Sequence, residues 1–427
     1  MSFSRVSAAL LLSAPLLVSG CGQASTHSTP CLSDTECQGA RICHEGRCRY
    51  EAEVLAELGL APDGGGDGSV AIVDGETSRE GPYVLPSPTE QGFMGGPMHT
   101  GRSPHRGPET TPSVRFRVQT GGRIAASPVL GPDGTVYVGS LDRTFLAVSP
   151  DGKLRFRHRA SGRIYGAAAV SESGTIFFGA DDGFVTALNP LGQILWRKRV
   201  KGSIDAALTL DHDGRLYVAA DGLFALDERG NEIFAYETAS HIRSTPALHP
   251  EGLVLFGTPE GTVVALDLRG KLVWETAVGS SVVGSVSVTP EGTIVVGTSL
   301  GHVVALDALG REIFRVSTRG EIRATPAVAL DGKILVGSYD QRIHGMNERG
   351  EVLFTTEVTG RVRSSIRIDA EGRGYFGAQD GLLYGLSPDG SILFRVNVGA
   401  DVDSTPAIGA DGTLYVGADD GALHALR

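Results

Sequence analysis

Four cysteines near the N-terminus are the residues whose type and spacing most directly suggest chemistry. Cys31, Cys37, Cys43 and Cys48 lie in the stretch CLSDTECQGARICHEGRC. A zinc site would need Cys-x-x-Cys pairs and a covalent haem would need Cys-x-x-Cys-His, and the stretch contains neither pattern. An even, closely spaced set in an exported chain is typical of a small module held by two disulfides, with three connectivities possible.

The remaining sequence contains no arrangement typical of an active site. We find no Ser-His-Asp or zinc motif, and the stretch DHDG (211–214) lacks the further ligands and closing Glu of a calcium loop. We therefore predict no catalytic residue, no metal site and no cofactor.

The elements that would position any site come from an internal repeat. A turn glycine recurs every 40 residues, with one step of 38, at Gly134, Gly174, Gly214, Gly252, Gly292, Gly332, Gly372 and Gly412. An aromatic residue keeps the same interval at Phe156, Trp196, Phe234, Trp274, Phe314, Phe354 and Phe394. Each unit reads as four short alternating strands joined by Asp-Gly, Glu-Gly or Arg-Gly turns, which is typical of a propeller blade.

The two ends of the repeat region predict how the ring closes. The last unit ends at Arg427, one strand short, and a step of 40 back from Phe156 reaches Phe116 in PSVRFRVQTGG. Seven complete units and one shared between the ends predict an all-β, eight-bladed propeller. Residues 113–119 would supply the outer strand of blade 8 and so remove an unpaired edge.

Three columns of the aligned units orient each blade. The column that begins at Ile124 is β-branched throughout and predicts a packing layer, and the column that begins at Ala126 is small throughout, as the crowded axis requires. A third column is acidic and mostly precedes glycine, which favours tight hairpin turns over a ring of cation ligands. Its members are Asp142, Asp182, Glu260, Asp340, Asp380 and Asp420.

The repeats resemble a known family. The phrase ATPAVALDGKILVGSYDQRIHGMNERGEVLF and the lead-in MHTGRSPHRGP (98–108) are similar to proteins with pyrroloquinoline-quinone (PQQ)-type propeller repeats, and the resemblance extends over residues 93–427. It implies the propeller fold. The superfamily contains quinoprotein alcohol dehydrogenases and also non-enzymatic lipoproteins of outer-membrane barrel assembly.

The resemblance to the dehydrogenases does not extend to their cofactor site. Those enzymes hold the quinone between a Trp floor and an adjacent cysteine pair, with calcium and a catalytic aspartate nearby. This chain has no cysteine after Cys48, and its two tryptophans, Trp196 and Trp274, belong to the repeating aromatic column. Because these cofactor-binding groups are missing, we expect a propeller that is not an enzyme.

The N-terminus predicts export and a lipid anchor. MSFSRVSAALLLSAPLLVSGCG has one early Arg, an apolar core from Val6 to Val18 and small residues before Cys21, which is typical of a secretory signal. VSGC resembles the lipobox of bacterial lipoproteins, in which the Cys becomes the lipidated first residue; the alternative is an ordinary signal with an incidental Cys. We expect a chain tethered by lipid in the cell envelope, at the outer membrane.

These observations divide the chain into five parts. The stretch after the cysteines is rich in Gly, Pro and acidic residues and predicts a flexible linker. The parts are a signal peptide (1–20), a lipidated N-terminus (21–30), a disulfide module (31–49), a linker and propeller lead-in (50–111) and the propeller (112–427).

One irregular column predicts a binding site at the axis. It contributes one residue per blade just before the small column, and its polar members are Tyr165, Asp205, Arg243, Arg323, Arg363 and Asp403. Asp205 and Arg243, and likewise Arg363 and Asp403, come from neighbouring blades and could cancel as ion pairs, which leaves Arg323 without an acidic neighbour in the ring. The column either binds a carboxylate or an extended peptide, or only joins blades by internal pairing.

A second feature is a basic rim on an acidic protein of net charge −11. Residues 113–201 contain 13 Lys and Arg against 6 Asp and Glu, whereas residues 202–427 contain 18 against 30. The excess lies in the outer strands of the adjacent blades 8, 1 and 2, at Arg115, Arg117, Arg155, Arg157, Arg159, Arg197, Lys198 and Arg199. Such charges either prevent edge pairing or face an anionic surface or partner.

Together these predictions favour a lipid-anchored, monomeric propeller that binds other envelope proteins or peptide segments, in outer-membrane protein assembly. Net negative charge and export argue against nucleic acid as a partner. Two alternatives remain: a surface-displayed adhesion or glycan-binding propeller, and a PQQ- or calcium-dependent oxidoreductase.

Overall fold

The computed structural model describes residues 41–44, 47–50 and 89–427. The chain divides into two compact units, Met1–Ser78 and Arg79–Arg427. In the first unit Arg41–His44 (β1) and Arg47–Tyr50 (β2) form an antiparallel hairpin in which Cys43 and Cys48 are register partners. The cysteine side chains, and with them the predicted disulfides and the lipidation of Cys21, lie outside the described residues and stay predictions. No helix in the described ranges is long and apolar enough to cross a membrane.

The second unit is an eight-bladed β-propeller, which confirms the predicted fold class. Each blade is an antiparallel sheet of four strands, and the blades are numbered 1 to 8 in the order of their innermost strands. The innermost strands are Val129–Leu130 (β4), Ala169–Val170 (β8), Thr209–Leu210 (β12), Ala247–His249 (β16), Ser287–Val288 (β20), Ala327–Val328 (β24), Arg367–Ile368 (β28) and Ala407–Ile408 (β32). The second strands are Val136–Gly139 (β5), Ile176–Gly179 (β9), Leu216–Ala220 (β13), Leu253–Gly257 (β17), Ile294–Gly297 (β21), Ile334–Ser338 (β25), Gly374–Gly377 (β29) and Leu414–Gly417 (β33).

The outer half of each blade is longer than the inner half. The third strands are Thr144–Val148 (β6), Phe184–Leu188 (β10), Gly222–Leu226 (β14), Thr262–Asp267 (β18), His302–Leu306 (β22), Arg342–Met346 (β26), Leu382–Leu386 (β30) and Ala422–Leu426 (β34). The outermost strands are Leu154–Arg159 (β7), Ile194–Arg199 (β11), Glu232–Glu237 (β15), Leu272–Ala277 (β19), Glu312–Ser317 (β23), Val352–Glu357 (β27), Ile392–Asn397 (β31) and, for blade 8, Val114–Gln119 (β3).

Blade 8 closes the ring as predicted, because its outermost strand comes from the start of the propeller. Strand β3 pairs antiparallel with the last strand, β34, from Val114 opposite Leu426 to Gln119 opposite Ala422. Ser113 and Arg427 then exchange two backbone hydrogen bonds of 2.8 Å. Strand β3 is therefore the fourth strand of the sheet formed by β32, β33 and β34.

The aromatic column joins each blade to the next. Phe116 lies over Gly152, a turn glycine of blade 1 with φ 87°, and a Cβ there would come within 2.7 Å of the ring. Trp196 and Trp274 pack in the same way, and their indole N–H groups donate to the carbonyls of Glu228 (2.7 Å) and Ala308 (2.9 Å). Both tryptophans therefore have structural roles between blades.

The β-branched column forms a second inter-blade layer nearer the axis. Ile164 is fully buried and lies against Gly139 of blade 1, where a Cβ would come within 2.1 Å of the isoleucine Cγ2. Such close contact is possible only because the second strand ends in glycine. The hydrophobic core thus lies in layers between successive blades, as the cluster formed by residues of blades 1 and 2 shows.

Residues 89–103, within the predicted lead-in, circle one end of the axis, and we call them the strap. Their main-chain carbonyls accept hydrogen bonds from the innermost strands of six blades, beginning with Leu130 N to Glu90 O (2.7 Å) and ending with Ile368 N to Gly101 O (2.7 Å). Phe93–Gly95 forms a single 3₁₀ turn within the strap. The strap packs Phe93 against core clusters on both sides of the ring.

Candidate functional site

The irregular axial column lines one cavity, which we call the funnel. The cavity has a volume of about 530 Å³, and Phe93 of the strap lies at its base. Each blade contributes one residue just before its innermost strand: Ala125, Tyr165, Asp205, Arg243, Val283, Arg323, Arg363 and Asp403. Because the strap crosses the opposite ends of the same strands, the funnel is open at one end of the axis and closed at the other.

Arg363 and Asp403 form the ion pair that their neighbouring blades predict. The guanidinium Nη1 lies 2.7 Å from the carboxylate Oδ2 of Asp403. Gln379 donates to the other oxygen of Asp403 at 3.0 Å. This pair therefore joins blades 7 and 8.

Arg323 has an acidic partner that the axial column could not reveal. Glu321, two residues earlier in the connection to blade 6, lies 2.9 Å from the guanidinium. The contact with the Glu321 carboxylate raises the pKa of Arg323 above its usual value, and the guanidinium also lies 5.3 Å from the centre of the Tyr339 ring. The expectation concerned only the ring of eight axial residues, and Glu321 engages Arg323 from outside that ring.

Of the three axial arginines, Arg243 has the guanidinium most available to a ligand. The closest approach of Asp205 to Arg243 Nε is 4.0 Å, and the Arg243 side chain is 65% exposed. Asp205 is held by other groups, because it accepts from Ser203 at 2.7 Å and lies 3.1 Å from His241 Nε2. His241 in turn contacts Asp221 through Nδ1 at 3.1 Å. The predicted pair of Asp205 and Arg243 is present at this longer distance, while Asp205 makes its closer contacts with Ser203 and His241.

Hydroxyl groups below the charged ring tie the innermost strands together. Thr245, Ser285, Thr325 and Ser365 each accept the backbone N–H of the matching residue one blade earlier, at 2.9 to 3.2 Å. The same bond joins Thr405 N to Ser127 Oγ (2.9 Å). These bonds fix the spacing of the blades at the axis, so the charged ring above them stands on a rigid base.

Tyr165 and the blade 8 side complete the funnel. The Tyr165 hydroxyl lies 3.4 Å from Arg163. Near Asp403, burial and the negative charges of Asp403, Asp419 and Asp380 raise the pKa of Asp401. The mouth is therefore acidic beside blade 8 and basic beside blade 4, where Arg243 stands.

The basic rim divides into paired and unpaired arginines. Arg115 lies 2.7 Å from Asp411 and Arg155 lies 2.5 Å from Asp133, and Arg117 pairs with Asp420. Lys198 lies 3.9 Å from Glu232. The other four are exposed and pair with no carboxylate within the described residues: Arg157, Arg159, Arg197 and Arg199.

Arg197, one of these four arginines, is positioned by a hydroxyl group and an aromatic ring. It donates to Ser161 at 2.6 Å and lies 4.2 Å from the centre of the Phe184 ring, with Arg199 at 5.9 Å from the same ring. Two guanidinium groups thus lie near one aromatic ring. We call Arg157, Arg159, Arg197 and Arg199 the basic patch.

The funnel does not fit a quinone of the kind held by PQQ dehydrogenases. The described lining contains neither Trp nor Cys, and both tryptophans pack between blades away from it. Within the described part of the chain no group of three or more His, Cys, Asp or Glu could hold a metal ion. We derive no cofactor chemistry for this site.

The fold and the repeats define the class of the second unit, an eight-bladed β-propeller of four-stranded repeats. A family model described as Outer membrane protein assembly factor BamB matches residues 181–275 and 259–373. Within this class the chain resembles BamB. A comparison with curated protein sequences gives no match.

Solved structures of two functional kinds share this fold. BamB from Moraxella catarrhalis aligns with a TM-score of 0.62 at 18% identity and covers 74% of this chain and 99% of its own. The quinohemoprotein alcohol dehydrogenase from Comamonas testosteroni aligns with a TM-score of 0.67 at 12% identity, covering 79% and 80%. A europium-containing methanol dehydrogenase gives 0.63 at 12%, covering 75% and 87%. At these identities the likeness establishes the fold alone.

Proposed function

We propose that the chain is an envelope lipoprotein, anchored through Cys21, whose propeller is a non-catalytic protein-binding scaffold in outer-membrane protein assembly. The match to the BamB family model supports this function. The lipobox-like VSGC at the predicted cleavage site supports the anchor. The misfit of the funnel to a quinone supports a binding role over an oxidoreductase.

The available guanidinium of Arg243 is the observation that carries the proposal. It stands at the open mouth of a rigid funnel, and its nearest carboxylate, on Asp205, is already engaged by Ser203 and His241. A guanidinium in this setting can donate two parallel hydrogen bonds to a carboxylate. The partner is therefore a protein segment that presents an acidic side chain to the axis.

The test is affinity purification of the tagged, lipidated protein from detergent-solubilised envelopes, with the retained proteins identified by mass spectrometry. We expect recovery of proteins that assemble outer-membrane barrels. Arg243→Ala should lower that recovery by about tenfold or more, because the partner's carboxylate would lose its charged donor. Arg349→Ala is the matched control, since Arg349 is an exposed arginine in a turn on the strap side.

Two results would contradict the proposal. Equal recovery with the Arg243 and Arg349 variants would remove the funnel as the docking site. Retention of surface glycans or adhesion partners alone would favour display on the cell surface over a role in assembly.

A further inference from the structure

The backbone N–H at one position of each innermost strand points toward the strap. Seven of these eight N–H groups donate a hydrogen bond to a strap residue. Six donate to main-chain carbonyls of the strap at 2.7 to 2.9 Å. The seventh, Ile408 N, donates to the carboxylate of Glu90 at 3.2 Å. The occupied positions are Leu130, Val170, Leu248, Val288, Val328, Ile368 and Ile408.

Leu210 of blade 3 occupies the eighth position and has no acceptor among the described residues. The carbonyl of Gln91 accepts from blade 2 and that of Pro97 accepts from blade 4. Between these two residues the strap turns away from blade 3 through Phe93–Gly95. The detour leaves a cavity of about 370 Å³ between the strap and blades 2 and 3, and Leu210 lines it. Leu210 is also the only one of the eight residues that is not fully buried.

His99 supplies a second, weakly bonded group to the same cavity. Its Nδ1 lies 2.9 Å from the carbonyl of Val286, which can only accept, so Nδ1 carries the proton and Nε2 is an acceptor. Burial lowers the pKa of His99 to about 4, so the ring is neutral at physiological pH. The nearest donor to Nε2 is the Thr209 hydroxyl at 3.5 Å, which gives its proton to the Pro246 carbonyl at 2.5 Å.

We propose that this cavity, on the face of the propeller opposite the funnel, binds an extended peptide segment of another protein. The backbone N–H of Leu210 would donate to a peptide carbonyl, and Nε2 of His99 would accept from a peptide N–H. The protein itself shows the complementary group, because six equivalent N–H groups already hold main-chain carbonyls of the strap. Addition of a segment to free strand positions is an established mode of peptide recognition.

The charges around the cavity define the peptide further. Its lining includes the carboxylates of Glu172, Asp211 and Glu228. Asp211 is buried and already bonded to Arg215 N and Tyr217, but Glu172 and Glu228 are exposed. A carboxylate ligand would be repelled here, so the site selects a neutral backbone carbonyl followed by a basic side chain.

The binding test uses selective labelling and a defined probe. The full-length chain is labelled with ¹⁵N-leucine, and the amide signal of Leu210 is followed by NMR during titration with an acetylated, amidated Val-Lys-Val-Gly peptide. We expect a saturable shift of the Leu210 signal. The matched peptide with Glu in place of Lys should bind about fivefold more weakly, the upper effect of one exposed ion pair.

A blocking variant tests the location of the site. Gly92 lines the cavity, and a Cβ there would meet no atom closer than 3.8 Å. Gly92→Phe should therefore fill the cavity, keep the melting temperature and lower peptide affinity at least tenfold, whereas Gly92→Ala should bind as the original chain does. Ser173→Tyr blocks from the opposite wall if Gly92→Phe does not fold. A Leu210 signal unchanged by peptide, or a shift that survives both blocking variants, would overturn the proposal.

Discussion

At the scale of single residues, His99 makes the stability of the propeller depend on pH. Its ring is 1% exposed, packs edge-on against Phe93 at 5.4 Å and donates to the carbonyl of Val286. Burial lowers its pKa in the folded protein to about 4. The unfolded chain takes up this proton near pH 6.5, so this contribution to the free energy of unfolding is complete above that pH and decreases as the pH falls toward 4.

We expect the free energy of unfolding to fall by up to about 3 kcal/mol through His99 between pH 6.5 and 4. His99→Asn removes the titrating group and keeps a side chain suited to the positive φ of 54° at this position. Urea unfolding across this range should show a smaller loss of stability in the variant. Equal pH dependence of the two proteins would contradict the assignment.

The funnel also shows what the sequence can and cannot predict about residues. The ring of eight axial positions followed from the repeat interval, and the structure places all eight in one cavity. The pairing followed only in part: Arg363 and Asp403 pair as predicted. Glu321 and His241 were missed because they lie outside the aligned column and reach Arg323 and Asp205 from the connections between blades. Column alignment fixes backbone positions, whereas competition between neighbouring side chains decides which cation stays available.

At the scale of elements, the strand pattern was predictable and the strap was not. The strands have alternating apolar residues and turn glycines at a fixed interval, so their register follows from sequence. The strap contains Gly92, Gly95, Gly96 and Gly101 without any periodicity. It is held by single hydrogen bonds from the innermost strands of different blades, a pattern that depends on the assembled ring and leaves no local signal.

The ion pair of Glu90 and Arg367 fixes the strap to the ring. The two side chains lie 2.6 Å apart and are 6% and 3% exposed, and Arg367 also donates to the carbonyl of Thr89 at 2.9 Å. Glu90→Gln would leave the guanidinium buried without a countercharge, so we expect a loss of about 3 to 5 kcal/mol in the free energy of unfolding. Urea unfolding measures it, with faster hydrogen exchange of the Leu130 and Ile408 amides as a local readout.

Glu371→Gln is the control for this prediction. Glu371 pairs with Arg106 at 2.8 Å, but the two side chains are 44% and 75% exposed. Its replacement should cost less than about 1 kcal/mol. Equal losses for the two variants would mean that the strap does not contribute to the stability of the ring.

At the scale of the whole molecule, charge is distributed unevenly around the propeller. The net charge is −11, yet the outer strands of blades 1 and 2 carry the basic patch on one sector of the ring. The neighbouring Arg115, Arg117 and Arg155 are paired with carboxylates and add little field. A lipid-anchored protein with this asymmetry would turn the sector of blades 1 and 2 toward anionic headgroups.

Replacement of the four patch arginines by Ala should therefore weaken binding to phosphatidylglycerol-containing vesicles by on the order of a hundredfold at low ionic strength. Cosedimentation measures it, and added salt should remove the difference because exposed charges are screened. The matched control replaces Arg229, Arg269, Arg319 and Arg349, which changes the net charge equally on blades 3 to 6. If both fourfold variants bind the vesicles alike, the total charge determines binding and the sector of blades 1 and 2 has no role. If binding of the original chain is insensitive to salt, the contact with the vesicle is not electrostatic.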